Sequence, residues 1–481
     1  MKRLAYYSGI RKLGITACAL LALCAFTTMA PAQTFTSLDT FNGMNGENPY
    51  GALIQATNGE LYGTSEAGGA DNGGTVFKVS PSGTMALVYT FCPSCATTGF
   101  DAYSGLIQAT NGDFYGTTEY SGTNDGGAVY QLSPAGTGTT LYGFCMQTDC
   151  LDGQAPIGGV VQGTDGNFYG TTSRGGLNRG GTVFQLTPTG ILTTLYNFCA
   201  QPDCTDGEAP TVSLVQGSDG NFYGTTESGG INGYGIIFKI TSTGTFTSLY
   251  SFSCPLVGCG GGSNTSAYGA LIQATNGDFY GTAYAGGKNG AGTVFRMTPS
   301  GVVKTLYNFC AQTGCTDGAN PAGGLVQATD GNFYGTTQNG GANGNFGTIF
   351  KITAAGTLTT LHSFAGSDGS GPIGAPLQDT NGSLYGTTET PEGTVWRLSL
   401  GLHPFVKTQT PSGAPGTVVK ILGSSLTGAT SVTFNGAAAS FKVVSGTEIA
   451  ATVPSDATSG TVQVVTPTGT LSSYPPFQVL P

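Results

Sequence analysis

Short runs of alternating apolar and polar residues fill most of the chain, and the runs repeat. One nine-residue stretch marks the period. It reads TNGELYGTS from Thr57, TNGDFYGTT from Thr110, TDGNFYGTT from Thr164, SDGNFYGTT from Ser218, TNGDFYGTA from Thr275, TDGNFYGTT from Thr329 and TNGSLYGTT from Thr380. Its tyrosines, Tyr62, Tyr115, Tyr169, Tyr223, Tyr280, Tyr334 and Tyr385, stand 51 to 57 residues apart. In the second repeat the alternation predicts four strands, Gly105–Thr110, Phe114–Thr117, Ala128–Ser133 and Thr139–Phe144. Asn111-Gly112 between the first two predicts a type I′ turn, with both residues at positive φ. Four antiparallel strands in a period near 50 describe a propeller blade rather than a solenoid turn.

The fourth-strand pattern recurs at Thr139–Phe144, Thr193–Phe198, Thr247–Phe252, Thr305–Phe309 and Thr359–Phe364, with a looser copy at Ala86–Phe91. A seventh copy, Phe35–Phe41, precedes the first hairpin, while the last repeat, Pro372 to Leu400, has only three strands. The expected fold is therefore all-β. Residues 33–400 form a seven-bladed β-propeller, and an N-terminal strand completes its last blade and leaves no open edge. Residues 401–481 lose the repeat and begin with a short linker. Alternating strands at Val418–Leu422, Ser431–Phe434, Ala439–Val444, Glu448–Val453 and Thr461–Thr466 suit a small immunoglobulin-like β-sandwich.

Two resemblances support this division. GLIQATNGDFYGTT, followed by GGxNxxGTVF-like and TTLYNFC stretches, resembles the GloVer tandem-repeat family of exported bacterial proteins over residues 35–400. SGAPGTVVKILGSSLTGATSVTFNG, then IAATVPSDATSGTVQVVTPTG, resembles the IPT/TIG domain over 404–481. The first resemblance implies a cell-surface or extracellular protein with no established enzymatic activity. Members of that family attach through various C-terminal anchors; here the chain stops after the sandwich without a sorting tail, which leaves attachment open.

The first 32 residues read as a signal peptide. Lys2, Arg3, Arg11 and Lys12 precede an apolar stretch, Leu13 to Phe26, and Ala30-Pro31-Ala32 is a cleavage pattern. Without those four bases the chain keeps 12 Lys and Arg against 26 Asp and Glu, a net charge of −14. That balance argues against nucleic acid and anionic membranes as partners. No later run is long and apolar enough for a membrane helix. A secreted or cell-surface monomer is expected.

Ten cysteines remain, in five close pairs: Cys92/Cys95, Cys145/Cys150, Cys199/Cys204, Cys254/Cys259 and Cys310/Cys315. In an exported chain such pairs read as disulfides. Cys92-Pro93-Ser94-Cys95 alone resembles a redox motif, but its position matches the other four loops. An Asp-Gly-x-x-Pro pattern follows in several loops, led by Asp152, Asp206, Asp317 and Asp368. Asp-Gly is a turn pair, so a purely structural role is the first reading. The loops between second and third strands carry Asn178, Asn232 and Asn289 and emerge on the same face of the ring. That loop face is the candidate binding surface, for a polysaccharide or a surface protein. Ca²⁺ is a candidate ligand of its carboxylates, although no defined calcium motif is present.

Catalysis has little to build on. His362 and His403 are the only histidines; the first replaces the Tyr of the fourth-strand motif, the second lies in the linker, and neither is well placed for a triad. Residues that break the repeat are Glu66, Glu119, Arg174, Arg179, Glu208, Glu227 and Lys288. Arg174, Arg179, Glu208 and Glu227 come from adjacent blades and are candidates to face one another. No catalytic residue is assigned. A non-enzymatic binding or scaffold protein is the leading reading, and a lyase- or glycosidase-like propeller is the alternative. An asymmetric charged pocket favours the enzyme, and repeated equivalent sites favour a multivalent binder. The glutamines Gln55, Gln108, Gln162, Gln216, Gln273, Gln327 and Gln378 either ring the central channel or satisfy backbone groups of their own or the next blade.

Overall fold

The computed structural model describes residues 33–93, 99–120, 125–253, 269–389 and 392–480. The leader lies outside these residues. Seven four-stranded antiparallel sheets follow one another along the chain. The second comprises Ile107–Gln108, Phe114–Thr118, Ala128–Leu132 and Gly138–Gly143. The seventh joins Leu377–Gln378, Leu384–Thr388 and Thr394–Ser399 to Thr34–Thr40. Thr34 lies opposite Ser399 and Thr40 opposite Thr394, so the N-terminal strand closes the ring.

The copied nonapeptide is explained contact by contact. Its tyrosine bonds to the turn residue four positions earlier in every blade: Asn58–Tyr62, Asn111–Tyr115, Asp165–Tyr169, Asp219–Tyr223, Asn276–Tyr280, Asp330–Tyr334 and Asn381–Tyr385. Where the turn holds Asn the amide donates; where it holds Asp the phenol donates. The same tyrosine packs on the next blade's second strand, with Tyr62–Phe114 ring centres 4.4 Å apart and Tyr169–Phe222 3.9 Å. The glycine after it makes room for an aromatic on the third strand. A Cβ on Gly63 would stand 2.5 Å from Phe77, and one on Gly386 2.3 Å from Trp396. Trp396 is fully buried, as its equivalence to the Phe positions predicts.

The turn differs from expectation. Only the glycine has positive φ, for example Gly112 at 95° and Gly166 at 83°. The Ala109 N–H donates to Asp113 O, and the Gly112 N–H donates to Ala109 O. This is a three-residue loop ending in a left-handed glycine, not a type I′ turn. The Asn side chain decides it: Asn111 Oδ1 accepts the Asp113 N–H at 3.0 Å, an Asx bond that needs no positive φ at Asn111.

The glutamines join the blades. Gln108 Oε1 accepts the Thr57 N–H of the preceding blade and its Nε2 donates to Gly112 O of its own. Gln162, Gln216, Gln273, Gln327 and Gln378 each accept a preceding-blade N–H in the same way. Gln55 accepts from Thr380 and completes the circle. The residues before them, including Ile54, Ile107 and Leu377, line the turn-face end of the channel.

The C-terminal sandwich packs one sheet, led by Val418–Leu422 and Glu448–Thr452, on another led by Ser431–Phe434 and Val462–Thr466. Val419, Ile421, Val432, Phe434, Ile449, Val462 and Phe477 form its core. It sits on the tight-turn face of the ring. Gln409 Nε2 donates to the Gln108 and Ala109 carbonyls, Thr447 Oγ1 to Thr57 O, and the Phe405 N–H to Thr380 O. No helix among the described residues is long and apolar enough to cross a membrane.

Candidate ligand-binding site

The pinned loops turn their polar groups inward. Asp206 Oδ2 accepts from Tyr196 Oη at 2.7 Å and from the Ala200 N–H, and Oδ1 accepts from the Gln201 N–H. Asp152 and Asp317 repeat the arrangement with Tyr142 and Tyr307. All three carboxylates are buried. In the last copy His362 stands in for the tyrosine, 2.9 Å from Asp368. The His362 ring also stacks on Phe35, and burial pushes its pKa down. Disulfides Cys145–Cys150, Cys199–Cys204 and Cys310–Cys315 close the same loops. Cys92 is also disulfide-bonded; Cys95, Cys254 and Cys259 lie outside the described residues. Asn178, Asn232 and Asn289 are exposed, yet each amide donates to the carbonyl of Phe198, Phe252 or Phe309. The Asp carboxylates brace the loops from within, and each Asn amide ties its loop to the carbonyl of an aromatic just after the fourth strand.

Arg174 and Arg179 are exposed on the third blade. Glu208 accepts from Ser228 Oγ at 3.2 Å. None of the ion pairs among the described residues joins Arg174, Arg179, Glu208 or Glu227 to one another. One close grouping of metal-type ligands is Cys199, Cys204 and Glu208, but the two sulfurs are bonded to each other and offer no thiolate.

Glu227 does reach a site. The axis of the ring opens on the loop face into a cavity of about 600 Å³. Its wall is made by the segments just before each inner strand and by the residue just after three of the FYGTT-like stretches. The first set supplies Tyr50, Tyr103, Ile157 and Thr211; the second supplies Glu227, Tyr284 and Gln338. Glycines and alanines, such as Gly51, Ala52, Gly323 and Ala375, line much of the rest. The second set continues around the ring as Glu66, Glu119, Ser173 and Glu389.

Hydrogen bonds tie part of this wall into an arc. Tyr284 Oη donates to Gln338 Oε1 at 2.9 Å, Gln338 Nε2 to Glu389 at 3.4 Å, and Tyr50 Oη to Glu389 at 2.9 Å. The Tyr50 and Tyr103 rings are 5.5 Å apart, and Tyr103 Oη donates to Glu66 at 2.7 Å. Burial first, then the neighbouring carboxylates, pushes both phenols' pKa values up, so they stay protonated donors. Asp101, close to Glu66 and Glu119, is pushed up to about 6, by burial first and then by those two charges. Ile157, Thr211 and Val212, from the third and fourth blades, are uncharged, and Glu227 of the fourth blade is the charge nearest them in the lining. The cavity is thus asymmetric.

Sequence reasoning singled out Glu66, Glu119 and Glu227 but missed Tyr50, Tyr103 and Glu389. The available signal was variation at fixed repeat positions: Glu, Glu, Ser, Glu, Tyr, Gln and Glu follow seven near-identical stretches. Of the other loop tyrosines, Tyr284 lines the cavity, while Tyr120 and Tyr234 are half-buried outside its lining, and Tyr120 stacks on Phe100.

A family model described as the Gloeobacter/Verrucomicrobia repeat matches residues 89–263, 203–398 and 256–440. The chain belongs to that repeat family. A second model, the IPT/TIG domain, matches residues 404–479 of this repeat protein. A search of curated proteins found no match. Among solved structures, a fungal alcohol oxidase of the AA5 family in complex with copper is similar at 12% identity and a TM-score of 0.51, covering 93% of this chain and 99% of that one. The extracellular domain of a putative hybrid two-component system from B. thetaiotaomicron is similar at 13% identity and a TM-score of 0.47. That match covers 81% of this chain and spans 45% of the other protein. At such identities the oxidase likeness speaks to the fold alone. The disulfides place the repeat protein among chains that fold in an oxidising, exported setting.

Proposed function

We propose that this is an exported, monomeric binding protein of the extracellular space or cell surface, and that it takes a saccharide in the axial cavity of its loop face. The observation that carries the reading is the composition of that cavity: small apolar residues, three tyrosines, and a few polar groups converging from separate blades. Ligand pockets have this make-up. Tyrosine rings offer a pyranose a face to stack on, while Glu227, Gln338 and Ser104 offer hydrogen bonds to its hydroxyls. Calcium belongs to the proposal as an auxiliary ligand of the loop-face carboxylates.

The test is binding of the chain from residue 33 onward to a polysaccharide panel, with and without Ca²⁺, beside Tyr103→Ala and Val212→Trp. Binding by the parent chain and at least a tenfold loss in both variants, about 1.4 kcal/mol, is expected. No binding in either arm overturns the saccharide reading and leaves a surface protein as the partner.

The asymmetry of the wall favours a second reading, an enzyme acting on an extracellular polysaccharide. A carboxyl raised to about 6 beside carboxylates is how an acid and a base are set apart in glycoside cleavage. Product release from the bound polysaccharide, abolished by Asp101→Asn, supports that reading. The copper of the similar oxidase has no counterpart in the histidines here. His362 is bonded to Asp368 and His403 is exposed, away from the cavity.

A further inference from the structure

The cavity carries charge of one sign. Glu227 lines it, Glu389 and Glu66 hold the phenols of its two adjacent tyrosines, and Glu119 and Asp101 stand behind Tyr103. No Lys, Arg or His is among its lining residues. Arg174 is exposed and acts on Tyr120, and Lys407 lies on the turn-face side of the channel. A cleft lined by one sign of charge, with low-dielectric walls, focuses that field on whatever enters.

The tyrosines sharpen this. The Tyr50 and Tyr103 hydroxyl protons already point to Glu389 and Glu66, so what these residues offer a ligand is ring face and edge. The rings form a corner, 5.5 Å apart and inclined at 57°. Ring faces backed by carboxylates attract ammonium groups.

We infer that the axial cavity selects an amino sugar with a free, protonated amine, and discriminates against N-acetylated and acidic sugars. The inference rests on the saccharide reading of the same cavity. The ammonium sits in the Tyr50–Tyr103 corner or against Glu227, and the pyranose ring covers the apolar wall. Uronic or sulfated sugars meet the same field with the opposite sign.

The experiment compares three probes by calorimetric titration at low and moderate salt: a β-1,4-linked glucosamine hexamer, its fully N-acetylated counterpart and a galacturonic acid hexamer. The free-amine hexamer is expected to bind at least tenfold tighter than the acetylated one, with an advantage that shrinks as salt rises. The galacturonic acid hexamer is expected not to bind. Glu227→Gln with Glu389→Gln, near-isosteric changes checked by an unchanged melting temperature, is expected to erase the amine preference, bringing the free-amine and acetylated hexamers to within about twofold of one another. Equal or tighter binding of the acetylated hexamer, or a preference untouched by the double variant, overturns the inference but not the saccharide reading. Binding of none of the three probes overturns the inference; the saccharide reading then falls only if the wider panel is silent too.

Discussion

Asp379 occupies a repeat position that is Ala56, Ala109, Gly163, Gly217, Ala274 and Ala328 in the other blades. It is 1% exposed, and its Oδ1 has no hydrogen-bond partner. Burial pushes its pKa up to about 6, against the opposing pull of Lys407, whose amine burial brings down to about 8. A raised carboxyl pKa means the folded state favours the protonated acid. Its contribution is full below the ordinary carboxylate range near 4 and is lost as pH rises through about 6. Asp379→Ala, which restores the residue of the other blades, should therefore gain on the parent chain as pH goes from 4 to 6.5. The expected gain is on the order of 1–3 kcal/mol, read from denaturant melts at each pH. In the parent chain Lys407 is held down to about 8, above that window. Asp206 shows the reverse case: its oxygens are saturated by a phenol and two backbone donors. Asp206→Ala leaves those donors unpaired and should cost about 1–3 kcal/mol in the same melts without altering ligand affinity. From sequence alone Asp101, Asp206 and Asp379 are one residue type in loops and turns; only their neighbours separate an acid behind the cavity wall, a loop brace and a buried charge.

Within a blade, repetition made the strands easy to read. Observed strands at Phe114–Thr118 and Ala128–Leu132 match the expected Phe114–Thr117 and Ala128–Ser133 closely. The inner strand shrank to Ile107–Gln108, because the residues before it turn into the cavity wall instead of pairing. The turn was misread because Asn-Gly encodes two hairpins. The choice between them rests on Asn111 Oδ1 accepting the Asp113 N–H, a side-chain contact that alternation does not report. Two substitutions probe the blade. Gly224→Ala places a Cβ 2.6 Å from Phe238 and should cost 1–3 kcal/mol or somewhat more, seen as a lower denaturation midpoint. Replacing Cys199 and Cys204 by Ser should cost roughly 2 kcal/mol. The loop should keep its shape, because Asp206 still gathers Tyr196, Ala200 and Gln201; its amide exchange rates check this.

For the whole molecule, counting strands was enough to foresee a closed ring, since one repeat lacked a strand and the N-terminus had one to give. The seat of the sandwich was not legible. Gln409 and Thr447 bind it to main-chain carbonyls of Gln108, Ala109 and Thr57, and carbonyls leave no trace in a residue pattern. The sandwich rests on the turn face and leaves the loop face as the approach to the cavity. Gln409→Ala with Thr447→Ala should release it; small-angle scattering should then show a more extended particle, and the linker near residues 400–406 should become protease-sensitive.

The pairing of Thr34 with Ser399 also sets an order of events. The strand made first on the ribosome is the one placed last, because its partner is not synthesised until the seventh repeat is nearly complete. Until then the growing chain is a strip with an unpaired margin at each end, open to a second strip as readily as to itself. The delay makes the earliest-made strand the gatekeeper against tangling of neighbouring chains, and trimming it by a few residues would leave every finished molecule in that unclosed form.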